Sequence, residues 1–405
     1  MAAPAPRTQQ EIRRHNLSRV LYAVADHGPV SRAAVATRIG LTRTAVSTLV
    51  DELLRAGLLV EQGRGRSGTV GRPGTDLALT DRGPCGLGAE IGVDHLAVCA
   101  VDLRGTVRAR LRVPAANRHS EPTSVLARLA RLVRLVTDQA REAELRPAGL
   151  AVAVPGLVAR GTTTVVHAPN LGWRNVDLAA HLGTDLTVDN EANLGALAEL
   201  WLGAPHTGDD GTGGDTGDGT GADGAGDFVH VSAENGIGAA LVVGGELLRG
   251  SHGFGGEIGH VPVWPQGRPC ACGARGCLEQ YAGERAVLAA AGLRPGPDAR
   301  IELLADRAEQ GDAAVLRALR EAGTALGIAL AGAVNLLDPG RVNLGGALAR
   351  VAPWLRPALE RELERRTTVP RPALTVSRLG PDGPLLGAAH AARRAVLDDP
   401  LAHRL

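Results

Sequence analysis

The chain has 405 residues, a hydrophobic fraction of 44% and a formal net charge of +1. Its length predicts two or three domains, and it has neither a membrane-spanning apolar run nor a signal peptide, so we expect a soluble, cytoplasmic protein without a membrane partner. All 44 basic residues are arginines, which excludes lysine from any chemistry proposed for this chain.

The N-terminal part has the pattern of a winged helix-turn-helix domain, which we place at residues 9–82. Helical spacing and capping residues predict helices over residues 9–27, 31–40 and 42–56, and two strands flank a Gly/Arg-rich tip. Residues 1–82 hold twelve arginines and seven acids, which gives this part a charge near +5 and the remainder near −4. We therefore predict that it binds double-stranded DNA.

The third predicted helix is the one expected in the major groove. Its apolar stripe faces inward, which leaves polar side chains on the N-terminal, outward part, and the wing tip adds arginines on Gly-rich backbone. The predicted base and phosphate contacts are Arg43, Thr44, Ser47, Thr48, Arg64, Arg66 and Arg72. The alternative is a dimerisation or protein-binding module, which the arginines of the wing disfavour.

The sequence beyond residue 86 predicts an α/β body. An apolar hairpin turns at Gly105, an amphipathic helix covers residues 123–141, and strands cover residues 149–154 and 186–188. A helix through Trp201 follows the second strand. Polar residues after that strand are expected to face a ligand crevice, because such crevices lie at the carboxyl ends of strands.

A low-complexity segment interrupts this body. Residues 207–227 contain Gly, Asp and Thr without a cation, and we expect a disordered surface loop there. A calcium loop is the alternative, but no Glu closes the required pattern. A strand hairpin then begins at Phe228, helices fill residues 284–337, a strand covers residues 341–348, and a last helix covers residues 385–397.

Three cysteines, Cys270, Cys272 and Cys277, fall within eight residues, and His260 precedes them by ten positions. Three thiolates and one imidazole can surround one ion, so we predict a structural Zn²⁺ site without an open coordination position. Chance or redox thiols are the alternative. Cys99 lies in an apolar run and is expected to be a buried free thiol, which agrees with a reducing compartment.

GGEIGH at residues 255–260, followed by CxCGxxGCLE up to Glu279, resembles the ROK family of repressors, open reading frames and sugar kinases. The resemblance implies an actin-like, two-lobed sugar kinase fold, with a first lobe over residues 86–200 plus 385–405 and a second over residues 228–384. It also implies a monosaccharide or sugar-derivative effector, with the histidine binding both zinc and a sugar hydroxyl. The residues that match the family's sugar-binding positions are Asn170, Asn190, Glu191, Glu257, His260 and Glu279. Carboxylates and imidazole nitrogens accept hydrogen bonds from the hydroxyl groups of a polyol. The alternative is that Glu257 and Glu279 are solvated surface acids.

The family's kinases bind ATP at Asp-x-Gly-Gly-Thr and Gly-Thr-Gly motifs, which are degenerate here. Val93 and Asp94 in the first motif and Glu234 in the second put a side chain or negative charge where phosphate would approach. Glu191 replaces the family's catalytic Asp, and its extra methylene disturbs proton abstraction. We therefore expect no catalytic residue and no enzyme.

The resemblance to the family's regulator branch predicts a sugar-responsive transcriptional repressor of carbohydrate genes. We expect a homodimer or homotetramer that binds operator DNA and is released by sugar. Two alternatives are a sugar kinase with an accessory DNA-binding domain and a constitutive DNA-binding protein with a decayed pocket.

Overall fold

The computed structural model describes residues 8–63, 75–183, 185–203, 226–233, 236–294 and 301–403. These residues form a winged helical module followed by two α/β lobes. Across them, no helix combines the length and apolar character that crossing a bilayer requires.

The winged module contains three helices and a three-stranded antiparallel sheet of order β1-β3-β2. Its elements are α1 (Gln9–His27), β1 (Val30–Ser31), α2 (Arg32–Ile39), α3 (Arg43–Arg55), β2 (Leu59–Gln62) and β3 (Asp76–Leu79). Each helix begins after a hydroxyl residue, Thr8, Ser31 or Thr42, whose side chain accepts a backbone N–H of the first turn. The three predicted helices and the two strands that flank the wing are confirmed. Strand β1 was not predicted, because two residues give no periodic signal.

The first lobe is built on a five-stranded sheet of order β11-β7-β4-β5-β6. Its elements are β4 (Gly83–Ile91), β5 (His95–Asp102), β6 (Val107–Pro114), α4 (Pro122–Glu142), β7 (Leu145–Val154), β8 (Leu157–Val158), β9 (Thr164–Ala168), β10 (Trp173–Asp177), α5 (Ala179–Leu182), β11 (Leu186–Asn190) and α6 (Glu191–Leu202). Strands β4, β7 and β11 run parallel. Their carboxyl ends therefore meet at one edge of the sheet, where the polar run predicted to follow residue 188 lies. Strand β11 extends two residues further than predicted and includes the first two members of that run, Asp189 and Asn190.

The second lobe has a sheet of order β14-β13-β12-β15-β16. Its elements are β12 (Phe228–Ala233), β13 (Ile237–Val243), β14 (Glu246–Leu247), α7 (Glu279–Ala282), α8 (Glu284–Ala290), α9 (Ile301–Glu309), α10 (Ala313–Leu337), β15 (Arg341–Gly346), α11 (Ala347–Arg366) and β16 (Ala373–Val376). The helices α10 and α11 pack against one another, and their buried Leu, Val and Ala side chains form the core of this lobe.

Three sequence expectations for this lobe need correction. The strand predicted over residues 341–348 ends at Gly346, and α11 begins directly after it. The sequence analysis did not identify this helix, which contains prolines at 353 and 357. Burial of its apolar face outweighs the local preference of proline against a helix interior. Asp227, the last residue of the predicted disordered loop, is fixed by hydrogen bonds from Gly244 at 2.5 Å and Gly340 at 3.1 Å. The rest of that loop up to residue 225 lies outside the described residues.

The last helix, α12 (Gly383–Asp398), returns to the first lobe and packs between α6 and the sheet. Backbone approaches backbone on both sides: a Cβ on Gly387 would lie 1.9 Å from the carbonyl oxygen of Leu194, and one on Gly86 would lie 2.3 Å from that of Ala389. The C-terminal turns of α12 add Val396 and Leu397 to the core of the winged module. One helix therefore contacts the pocket-forming lobe and the winged module.

Candidate functional site

The predicted metal ligands lie on one loop of the second lobe, after β14. His260 ends a single 3₁₀ turn, Ile258–His260, and the three cysteines follow on a loop that is closed by backbone hydrogen bonds. Cys270 donates its N–H to Ala274 at 2.9 Å, and Gly276 donates to Arg268 at 2.7 Å. This turn presents the sulfur atoms to the face on which His260 lies.

The four donor atoms form one compact group. The ligand atoms of His260, Cys270, Cys272 and Cys277 all lie within 4.8 Å of one another. Cys272 Sγ lies 3.7 Å from Cys277 Sγ, and Cys270 Sγ lies 3.7 Å from Nδ1 of His260. A tetrahedron with Zn–S bonds of about 2.3 Å has edges of about 3.8 Å, so the donor type and spacing fit a tetrahedral metal such as zinc.

The thiols have different proton affinities. Burial raises the pKa of Cys270 and of Cys277, whereas the backbone N–H of Ala274 lowers the pKa of Cys272. Metal ligation requires thiolates, so an ion entering this group displaces protons. Such a site binds its metal more weakly as the pH falls.

His260 connects the metal group to the acidic residues predicted to bind sugar. Its Nδ1 faces the cysteines, and its Nε2 lies 3.9 Å from Oε2 of Glu257. Glu279 Oε1 accepts a hydrogen bond from the Cys270 thiol at 3.0 Å and lies 3.9 Å from Nδ1 of His260. Burial raises the pKa of Glu257. A histidine in this position can bind a metal on one nitrogen and a hydroxyl on the other.

The asparagines reach the same crevice from the first lobe. Asn190 lines it together with Glu257, and its Nδ2 donates to the carbonyl of Gly156 at 2.8 Å. A Cβ added to Gly236 would meet Glu279 Oε2 at 3.2 Å and Asn170 Nδ2 at 3.5 Å, so these two groups converge on one point. Five of the six predicted sugar-binding side chains are thereby brought together between the lobes.

The sixth, Glu191, lies in a different environment. Burial, with the neighbouring Glu90 carboxylate, raises the pKa of Glu191 to about 7. It lines a small cavity with Glu199, His230, Ser232 and backbone of the second lobe, rather than the crevice that Asn190 shares with Glu257. Its role as a sugar ligand stays a prediction.

The loop between β4 and β5 is filled by a histidine, not by the side chain expected there. Val93 is buried in the core of the first lobe and does not project into the loop. Instead, the ring of His95 occupies the space above Gly92, where an added Cβ would lie 2.2 Å from it. His95 Nε2 lies 3.2 Å from Glu90 Oε1, and Nδ1 lies 2.8 Å from Asp94 Oδ1. The corresponding residues of the second motif, Glu234 and Asn235, lie outside the described residues.

The winged module presents the predicted polar face of α3. Arg43, Thr44 and Thr48 are exposed and Ser47 is half-buried, whereas the apolar side chains of the helix are covered. The three wing arginines, Arg64, Arg66 and Arg72, lie outside the described residues. Other arginines of the module neutralise acids within it: Arg13 pairs with Glu52 at 2.7 Å, and Arg32 pairs with Asp51 and Glu61 at 2.7 and 3.0 Å.

Asp189 is a candidate site residue that the sequence analysis passed over. It accepts hydrogen bonds from the backbone of Asn190 and the side chain of Asn193, both at 2.8 Å, and it pairs with Arg249 of the second lobe at 2.6 Å. Its position in the Asp-Asn-Glu run at the end of β11 was the available signal. Arg249 gave no local signal, because its partner is distant in sequence.

Comparisons with known proteins agree with this architecture. The model described as "ROK family" matches residues 86–395, and that described as "MarR family" matches residues 18–72. A xylose repressor of Caldicellulosiruptor bescii is 30% identical over 80% of this chain and 81% of its own length. The DNA-binding transcriptional dual regulator NagC of Escherichia coli is 25% identical over 86% of this chain and 84% of its own. A solved ROK family transcriptional regulator, described as a homologue of the E. coli MLC protein, superposes with a TM-score of 0.76 at 25% identity, covering 96% of this chain and 98% of that one.

Proposed function

Because the chain belongs to the ROK family, we propose that it is a sugar-responsive, DNA-binding transcriptional repressor of carbohydrate uptake or catabolism genes. The observation that carries this proposal is the convergence of Asn170, Asn190, Glu257, His260 and Glu279 between two lobes, in a chain that also carries a winged helix-turn-helix module. The similarity to the solved ROK family transcriptional regulator covers 96% of the chain and therefore extends over both parts. Operator DNA and a sugar or sugar derivative are the proposed partners.

We propose that the His/Cys₃ group holds one structural Zn²⁺. Four protein donors leave no open coordination position, so the ion, when bound, supplies a rigid cross-link rather than an activated water. The loop between His260 and Glu279 carries both of these predicted sugar ligands. Fixing its ends keeps the imidazole Nε2 and the carboxylate oriented toward the crevice, which lowers the entropy lost when sugar binds.

The sugar is proposed to act by changing how the lobes close. Hydroxyl groups held by Asn190 on one lobe and by Glu257 and His260 on the other stabilise a closed arrangement. In a homodimer or homotetramer, closure changes the separation of the winged modules, which sets how well they match two operator half-sites. A coupling of about 1–3 kcal/mol, or about 5- to 150-fold in affinity, is enough for induction.

A sugar kinase with an accessory DNA-binding domain has less support. The ring of His95 and the acids Glu90 and Asp94 occupy the loop in which a kinase of this family cradles phosphate. A coupled ADP-release assay over a panel of hexoses and pentoses tests this alternative, and we expect no turnover above the level without sugar.

The proposal is tested with the full chain, D-xylose, N-acetyl-D-glucosamine and a DNA duplex enriched by this protein from a random library. We expect at least one sugar to raise the melting temperature and to weaken duplex binding by about 5-fold or more. Glu257→Gln should abolish both effects and leave sugar-free duplex binding unchanged, whereas Glu246→Gln, an exposed acid on β14, should behave as the parent. Duplex binding that no member of a wider carbohydrate panel alters, with no melting shift, would identify a constitutive DNA-binding protein instead.

A further inference from the structure

Arg394, on α12, lies within cation–π distance of two aromatic rings from different parts of the molecule. Its Cζ is 4.8 Å from the ring centroid of Trp201, at the C-terminal end of α6 in the first lobe. It is also 4.7 Å from the ring centroid of Tyr22, on α1 of the winged module. A guanidinium can stack on aromatic rings while its N–H groups remain available. One side chain therefore joins the lobe to the module.

The opposite end of α6 begins next to Asn190, one of the proposed sugar-binding residues. Asn190 caps this helix by accepting the N–H of Ala192 at 2.7 Å, and Asn193 in its first turn donates to Asp189 at 2.8 Å. An α-helix rises about 1.5 Å per residue and transmits displacement along its axis, so α6 forms a rod roughly 16 Å long between the crevice and Trp201. Any displacement of Asn190 along the axis of α6 when sugar binds therefore also displaces the Trp201 ring.

The winged module is seated on the end of α12. Tyr22 Oη donates to Asp398 Oδ1 at 2.6 Å, and Arg14 pairs with Asp399 at 3.3 Å. Val396 and Leu397 are buried in the core of the module. Arg394 lies one helical turn before these attachment residues, at the point where Trp201 of α6 contacts α12. A change in the Trp201–Arg394 contact therefore acts beside the attachment of α1.

We propose that Arg394 is the positioning residue that couples the sugar-binding end of α6 to the orientation of the winged module. This inference rests on the proposed function, because it concerns how sugar binding reaches the DNA-binding face. Arg394 contacts neither sugar nor DNA in this mechanism. The shared guanidinium follows Trp201 when α6 moves, and its contact with Tyr22 then tilts α1 relative to α12.

The test separates binding from coupling. For parent and Arg394→Ala, the affinity for whichever of D-xylose and N-acetyl-D-glucosamine the parent binds is measured, together with the affinity for the enriched duplex with and without saturating sugar. We expect Arg394→Ala to keep the sugar affinity and the sugar-free duplex affinity within about twofold. The sugar-dependent change in duplex affinity should fall from the parent's value, about 5- to 150-fold, to nearly none.

Matched variants keep the result interpretable. Arg361→Ala removes an exposed arginine from α11 and should retain the full sugar response, whereas Arg394→Lys, which keeps the charge without the planar group, should give an intermediate response. Trp201→Leu removes the other side of the same contact and should show the same loss of sugar response. It tests the coupling independently if Arg394→Ala fails to fold. The double variant should lose no more than either single one, because both interrupt one pathway.

The outcomes distinguish the two proposals. If the parent responds to sugar and Arg394→Ala and Trp201→Leu respond to the same extent, the coupling role of Arg394 is wrong and the repressor function stands. If the losses in the two single variants add in the double variant, they act independently and the shared pathway is excluded. If the parent itself binds DNA without any sugar response, the proposed function fails, and the coupling role fails with it.

Discussion

At the scale of single residues, two groups of titratable side chains differ in what they can bind. The His/Cys₃ group offers soft donors at tetrahedral spacing and therefore suits one metal ion. In the other group the His95 ring lies between two carboxylates, with Nε2 3.2 Å from Glu90 Oε1 and Nδ1 2.8 Å from Asp94 Oδ1. Because its two carboxylates outnumber the single imidazole, this group has no excess positive charge with which to attract a phosphate.

The metal group gives the first prediction. Cys272 is the exposed cysteine of the four-residue group, so Cys272→Ser removes a thiolate with little change in packing. We expect bound zinc to fall from about one ion per chain to a small fraction, and the sugar-dependent rise in melting temperature to disappear. Metal analysis and thermal melting measure the two effects. Cys99→Ala, at a buried thiol away from the group, should retain both; a Cys272→Ser protein that still responds fully to sugar would contradict a structural role of the metal.

Glu191 gives a prediction about pH. Its pKa is raised from 4.5 to about 7 in the folded chain, so between these values the folded state holds a proton that the unfolded state has lost. The free energy of unfolding should therefore fall as the pH rises from about 4.5 to about 7. Urea denaturation at a series of pH values should show a flatter profile for Glu191→Gln than for the parent. Glu142→Gln, at an exposed acid on α4, serves as the control and should leave the profile unchanged; an equally steep profile in Glu191→Gln would exclude this group as the cause.

At the scale of secondary-structure elements, glycines determine how closely α12 packs. A Cβ on Gly387 would lie 1.9 Å from the carbonyl oxygen of Leu194 on α6. On the other side of α12, a Cβ on Gly86 in the sheet would lie 2.3 Å from the carbonyl oxygen of Ala389. The helix is thus held on two sides at backbone contact. This close packing fixes the position of α12 on the first lobe, and the winged module is attached to the end of that same helix.

This contact is tested by Gly387→Ala. We expect a loss of about 1–3 kcal/mol or more in the free energy of unfolding, because α6 and α12 must separate to admit the methyl group. Gly332→Ala is the matched control in the exposed face of α10, where an added Cβ meets nothing within 4 Å. It should be neutral or stabilising by up to about 1 kcal/mol. Denaturant unfolding measures both, and equal stabilities of the two variants would contradict the close approach.

The helix α3 gives a prediction about DNA. Arg43 lies at its exposed N-terminal end and Arg55 at its C-terminal end, so the two arginines share a helix but occupy opposite ends. Arg43→Ala should weaken duplex binding and reduce the slope of log affinity against log salt by about one, as for one lost phosphate contact. Arg55→Ala should leave both unchanged. Fluorescence anisotropy at several salt concentrations measures the slopes, and a larger loss with Arg55→Ala would reverse the assigned orientation of the helix.

At the scale of the whole molecule, polar contacts cross between the lobes beside the crevice. Arg249 of the second lobe pairs with Asp189 of the first at 2.6 Å, and the backbone N–H of Arg160 donates to the carbonyl of His252 at 3.1 Å. Asp189 in turn holds the backbone of Asn190. Lobe closure and the orientation of a predicted sugar ligand are thus connected through one carboxylate.

This connection predicts the effect of Arg249→Gln. Removing the cation leaves a mostly covered carboxylate without its partner, which should weaken sugar binding by about 1 kcal/mol, or roughly fivefold. Sugar-free duplex binding is the second quantity, and a change in it would show that the pair also influences lobe closure in the absence of sugar. Isothermal titration of the parent's sugar ligand measures the first quantity. Arg146→Gln, at an exposed arginine on β7, is the control, and equal sugar affinity in Arg249→Gln and the parent would exclude the pair as a contributor.

The amino-acid sequence by itself determined what depends on near neighbours. Hydroxyl caps and apolar periodicity located the helices of the winged module, and the spacing from His260 to Cys277 identified four donors that the fold brings within 4.8 Å of one another. These features lie within one helix or one loop, where a few residues fix the geometry.

Tertiary structure decided the features whose partners are far apart in sequence. Packing turned Val93 inward and placed the His95 ring over Gly92, kept α11 helical despite two prolines, and put Glu191 beside Glu90. It also brought Arg394 to both Trp201 and Tyr22. Local sequence patterns indicate which groups a side chain can bind. Which group it contacts in the folded chain depends on how whole helices and sheets pack, because the free energy of apolar burial is summed over the entire core.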